Sequence, residues 1–179
     1  MDWSKAKNIL IIALLLTNLA LGGFYFAKRS DADRSAERAA EYAAEYAQAE
    51  GLRLECELPA EAPKLPVLFV SVYYEEPDAA VHSYKGIPVE ADTQLDVELI
   101  PNQPGETAGS VISAADALLK LIQEHGEELR DPAAAIRSVE LVYLIDEFDL
   151  NERTLEDTAV PAWKFSAGGR SFFIKAYGN

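Results

Sequence analysis

Histidine, cysteine and clustered carboxylates are the side chains from which most active sites are built, and this chain is sparing with the first two. It has two histidines, His82 and His125, 43 positions apart (125 − 82). His82 falls in a loop. His125 falls near a helix end, where a protonated imidazole meets the negative pole of the helix dipole. A Ser–His–Asp set is not excluded by counting, but there is no G-x-S-x-G elbow to present a nucleophile. H-E-x-x-H, a Walker loop and a dinucleotide fingerprint are also absent from the sequence. Cys56 is the single cysteine, so an intrachain disulfide and a thiolate zinc site are both ruled out. Asp146, Glu147, Asp149, Asn151 and Glu152 form an oxygen-rich run. It lacks the sixth-position glycine and the terminal spacing of a calcium loop. The reading is therefore of a non-enzyme with no catalytic residue, no cofactor and no metal ligand set.

Other residue types speak of contact rather than catalysis. Thr17 and Asn18 are the strongly polar residues of an otherwise apolar run, and in a helix both can bond within the segment or to a neighbouring helix. Gly22 and Gly23 permit close approach of another backbone. Trp163 has two readings: a core aromatic alternating with Phe165 on a strand, or an interface anchor. These five residues are the candidate partner contacts.

The elements that carry them follow from periodicity. Ile9–Ala27 holds no charge over 19 residues (27 − 9 + 1). As a helix it spans roughly 28 Å, close to the ~30 Å hydrocarbon core of a bilayer. Lys5, Lys7, Lys28 and Arg29 bracket it. This predicts a transmembrane helix rather than a cleaved signal peptide, whose apolar core is shorter and ends in a small-x-small site. The expected layout is residues 1–8 as a cytoplasmic tail, 9–27 in the bilayer, 28–50 as a helical stalk and 51–179 as an extracytoplasmic domain. The Lys and Arg count around the span opposes that orientation. The length of the trailing domain favours it, because long domains translocate largely regardless of charge. Net charge is −14, and beyond residue 29 the chain has 12 basic against 29 acidic residues. Such a field repels nucleic acid and suits a basic protein partner.

Ser30–Glu50 is an alanine- and glutamate-rich helix that Gly51 can end. Ala36, Ala40, Ala43 and Ala47 make a seam of small residues, and Tyr42 and Tyr46 lie one turn apart. Leu52, Leu54, Cys56 and Leu58 alternate with charged residues, which predicts a half-buried strand. Pro59, Pro63 and Pro66 predict a non-helical linker. Val67–Tyr74 reads as a strand, the region of Pro77 and Asp78 as a loop, Tyr84–Val89 as a turn or short edge piece, Thr93–Ile100 as a strand and Pro101–Gly109 as a loop. Ser110–His125 is a helix with Ser113 and Asp116 as a capping pair, Ser110 as an alternative cap, and Gly126 as its left-handed stop. Asp131 and Pro132 suggest a short turn. Ile136–Phe148, Val160–Ser166 and Arg170–Tyr177 are strands, an acidic loop runs from Asp146 to Asp157, and Gly168–Gly169 is a hairpin turn. The fold class is α+β: the membrane helix and stalk, then antiparallel sheet or sheets with a packed helix, residues 110–179 forming a helix plus three-stranded meander.

Three pieces of the sequence resemble one family. The opening MDWSKAKNILIIALLLTNLAL is similar to the start of the YycI regulatory proteins. SAADALLKLI (Ser113–Ile122) resembles that family's helix, and PAWKFSAGGRSFFIKAYGN (Pro161–Asn179) resembles its closing strands. The resemblance covers residues 1–27 and about 110–179, and leaves Leu52–Gly109 without a counterpart. It implies a non-enzymatic, membrane-anchored extracytoplasmic protein that works with a YycH-like partner. Together they modulate the YycG (WalK) sensor histidine kinase of a cell-wall two-component system, through contacts in the bilayer and outside it. A PepSY-like inhibitory or ligand-binding module and a small wall-acting enzyme are the alternatives.

Overall fold

The computed structural model describes residues 3–73, 82–91, 98–131, 134–145 and 156–177. The chain divides into two compact units, residues 1–38 and residues 39–179. The first unit is helical: helix α1 runs Trp3–Ala49 without interruption, and its final turns belong to the second unit.

No helix among the described residues is long and apolar enough to cross a membrane. This corrects the expected transmembrane helix at Ile9–Ala27, and with it the single-pass localisation. Thr17, Asn18, Gly22, Gly23 and Tyr25 dilute the apolar character of this helix. The side chains of Ile9, Leu10, Ile12 and Phe26 lie outside the described residues.

The second unit is α+β. Alanine and glutamate carry α1 to Ala49, and Gly51 ends it at φ 86°. The amide of Leu52 donates to the Ala47 carbonyl (2.9 Å) and that of Gly51 to the Gln48 carbonyl (3.0 Å). This is the paired bond of a Schellman stop, with Ala47 and Leu52 both buried. The strands are β1 (Lys64–Tyr73), β2 (Ser83–Tyr84), β3 (Ile87–Ala91), β4 (Glu98–Ser110), β5 (Ile136–Ile145), β6 (Glu156–Ala167) and β7 (Arg170–Lys175), with helix α2 at Ala114–Leu129. They form one sheet in the order β2-β3-β5-β6-β1-β4, with β7 also on β6. The pairing of β3 with β5 is parallel, Val89 opposite Tyr143, so the sheet is mixed rather than antiparallel as expected.

One edge of β6 carries two partners. Its first residues pair with β1 (Ala159 opposite Leu68) and its later ones with β7 (Trp163 opposite Ile174). Alternation along β5, β6 and β7 sends Val139, Tyr143, Trp163, Phe165, Phe172 and Ile174 to the same buried cluster as Leu118 and Leu121 of α2. Ala43 and Ala47 bury into that cluster from the end of α1. On the opposite sheet face, Val142, Leu144 and Ala162 make a smaller cluster with Phe173.

Several expectations change in detail. Leu52–Leu58 keeps its inward alternation but makes only one isolated bridge, Leu54 with Ile136. Farther along β5, pairing passes to β3. Pro101–Gly109 is strand, not loop. Here β4 is an end strand of the sheet order, where a proline's missing N–H can face away from the ladder. Irregular register in β1, between Pro66 and Leu68 and again between Phe69 and Val70, accommodates the prolines. Gly126 does not stop α2, which continues to Leu129 and buries it. The hairpin at Lys85–Gly86 has positive φ at both residues, as does Gly168–Gly169. Pro77, Asp78, Thr93–Val97, Pro132 and the Asp146–Glu152 carboxylates lie outside the described residues.

Candidate functional site

Unit 1 presents the candidate surface. Helical φ and ψ leave the side chains of α1 pointing outward in all directions, and leucine recurs among the described ones here. Leu14, Leu15, Leu16, Leu19, Leu21 and Phe24 are between 61 and 77 % exposed. Contiguous exposed apolar side chains of this kind mark an interaction surface, because isolated exposed leucines are ordinary and a run of them is not. Thr17 Oγ1 donates to the Ala13 carbonyl at 2.9 Å, so its hydroxyl is satisfied inside the helix. Asn18 is exposed and its amide has no partner among the described residues. A Cβ added at Gly22 or Gly23 would meet nothing within 4 Å, so both glycines face open space. Four of the five sequence candidates therefore share one exposed apolar helical stretch. The leucines and Phe24 around them share that exposure and join the candidates; sequence reasoning assigns their hydropathy to an anchor.

The fifth candidate sits apart. Trp163 is 1 % exposed, and its indole N–H donates to the Ile112 carbonyl at 2.9 Å. Its ring is a core residue that holds the segment before α2 against β6, with no surface left for a partner.

Unit 2 holds the polar groupings that could bear chemistry. His125 Nδ1 lies 3.4 Å from Glu128 Oε1 on the last turns of α2, and Arg170 Nη1 donates to Glu128 Oε2 at 2.8 Å. Those two hydrogen bonds hold the Glu128 carboxyl below its ordinary range. The imidazole rests against Phe172 (centroids 5.1 Å) and Arg170 lies over the same ring. This joins α2 to the β6–β7 hairpin on open surface. His82 belongs to the loop before β2, where its carbonyl accepts from Val89. Lys164 Nζ donates to both oxygens of Glu90, at 2.8 and 2.6 Å, and lies over Phe173. Glu90 is on β3 and Lys164 on β6, so the pair reaches across β5 above the Val142 cluster. Tyr143 is fully buried and its hydroxyl has no partner among the described residues. Burial, with Tyr84 and Tyr177 nearby, pushes its pKa up to about 12. Burial also raises the Cys56 thiol, which makes it less reactive than an exposed one. Among the described residues no group of three His, Cys, Asp or Glu side chains is placed to hold a metal ion.

No family model matches this chain, and neither does any curated protein.

Proposed function

We propose that this protein is a regulatory binding protein that acts through an exposed apolar helix, with the α+β unit as its second contact body. One observation carries the reading: six large apolar side chains between Leu14 and Phe24 stand more than half exposed on one helix. Burying each against a partner would contribute roughly 1.5–3 kcal/mol, far more than any polar grouping in the second unit offers. Asn18, lacking a partner among the described residues, supplies register, as a single amide does in a helix pair.

The partner class comes from the sequence resemblance to YycI proteins: a sensor histidine kinase of the YycG (WalK) type, together with a YycH-like protein. Regulation of this kind needs only that the helix bind one state of the kinase better than another. A tenfold preference shifts the balance by about 1.4 kcal/mol. The test is capture with the full chain and with Leu16→Asp/Leu19→Asp. Recovery of a sensor kinase or YycH-like protein by the first and its loss with the second supports the reading. Equal recovery by both, or none by either, refutes it.

A second reading, a PepSY-like inhibitory module, is supported by the succession of α2 and the β5–β6–β7 meander. A secreted protease captured by the full chain and inhibited by it would favour this alternative.

A further inference from the structure

Residues 39–46 repeat a tetrapeptide, Ala-Ala-Glu-Tyr followed by Ala-Ala-Glu-Tyr. On a helix this spacing gives each residue type its own stripe. Ala43 and Ala47 are each 1 % exposed, so they fix the rotation of these turns against the core. That rotation leaves Tyr42 64 % and Tyr46 41 % exposed, beside the exposed Glu41 and Glu45. The tyrosines thus form a two-ring ridge held in place by its own helix. Tyr42 and Glu45 are three apart, which makes them surface neighbours, and Glu41 and Glu45 are four apart, which sets like charges together. No Lys or Arg occurs between Arg38 and Arg53. None of the two rings and two carboxylates has a cation partner among the described residues, whereas Tyr84, Phe172 and Phe173 each have one.

From this we infer that the Tyr42–Tyr46 ridge docks a basic, arginine-bearing segment of a partner protein. A guanidinium can stack on a tyrosine face and donate two bonds to the adjacent carboxylate, a combination that ammonium cannot match. A second copy of this chain is a poor occupant, because it brings the same acidic stripe and a net charge of −14. Anionic lipid and nucleic acid are disfavoured by the same field. The ridge lies in unit 2 and does not depend on the apolar helix of unit 1.

The probe is a labelled alanine-rich peptide bearing four spaced arginines, titrated by fluorescence anisotropy against the full chain. Tyr42→Ala/Tyr46→Ala is expected to weaken binding about tenfold. Glu41→Gln/Glu45→Gln should weaken it and flatten its salt dependence. A lysine version of the peptide should bind less tightly, and Glu124→Gln/Glu127→Gln, on the exposed face of α2, should leave affinity within about twofold. Matching circular dichroism and melting curves check that each variant is folded, and alanine is compatible with these exposed helical sites. The inference is overturned if the peptide does not bind, if the tyrosine variant binds as well as the natural chain, or if the α2 variant loses as much.

Discussion

Tyr177 closes the junction where β1, β4 and β7 meet, and breaking that closure has a cost that can be worked from the structure. Its hydroxyl donates to the Leu65 carbonyl at 2.8 Å and accepts from the Gly109 amide at 3.2 Å. Its backbone bridges to Val111, and the preceding Ala176 donates its N–H to the Pro161 carbonyl and accepts from the Ile112 amide, each at 2.8 Å. Tyr177→Phe removes two part-buried hydrogen bonds while keeping the ring. At about 1 kcal/mol each the loss is about 2 kcal/mol. Gly109→Ala acts from the other side: a Cβ there would overlap the Tyr177 ring. Gly109 is not among the glycines with positive φ, so alanine is admissible to its backbone and the overlap is isolated as the cause. The ring must leave its seat, which forfeits the same two bonds and adds strain, about 3 kcal/mol in all. The two effects share a partner, so they cannot add. Tyr177→Ala alone costs about 3 kcal/mol, and in its background Gly109→Ala should cost less than about 1 kcal/mol. Urea unfolding of the natural chain and these four variants reads this directly as midpoint shifts at constant slope. Losses below about 0.5 kcal/mol for Tyr177→Phe, or strict additivity in the cycle, would refute the closure.

Other outcomes follow from the same geometry. Gly126 is inside α2 with only ordinary contact to Ile122, so Gly126→Ala should stabilise the fold by about 0.5–1 kcal/mol, read as a raised melting temperature. Tyr143→Phe removes a buried hydroxyl with no described partner and should stabilise by about 1 kcal/mol. The raised Tyr143 pKa has a definite sign. The unfolded chain releases this proton near pH 10 and the folded one near 12, so stability is unaffected below pH 10 and falls as pH rises from about 10 to about 12. The phenylalanine variant should lack that step in an alkaline denaturation series. Lys164→Met leaves the half-buried Glu90 carboxylate without its cation and should cost about 2 kcal/mol by chemical denaturation. Adding Glu90→Gln should restore part of it.

How much of this was legible depended on whether the deciding force was local. Ser113 accepts from the Asp116 amide and donates to its carboxylate because both partners lie within one turn. Gly51 and the Gly168–Gly169 pair need positive φ, and the residue type states that need outright. Trp163 and Phe165 point inward, as the alternation of their strand required. What stayed hidden was set by distant partners. Pro101 and Pro104 look like loop residues until β4 is known to be an end strand beside an irregular β1. Gly126 looks like a stop until Leu129 is seen to need burial. The bond between Tyr177 and Leu65 joins residues 112 positions apart, and no spacing rule reaches that far. The anchor expected at Ile9–Ala27 rests on apolar character summed over that run, whereas no helix among the described residues is long and apolar enough to cross a membrane. Among the contact candidates, Thr17 and Asn18 stand out in the sequence for polarity, while the greater exposed area belongs to the leucines beside them.

The most direct measurement is of binding itself. The full chain, labelled at an added terminal tag, is titrated with a purified sensor kinase of the YycG type, with Leu16→Asp/Leu19→Asp as the matched variant. Saturable binding that weakens at least about a hundredfold in the variant, as burial of two leucines worth roughly 3 kcal/mol or more requires, is the predicted result. Affinity unchanged by the two aspartates would contradict the apolar helix as the working surface.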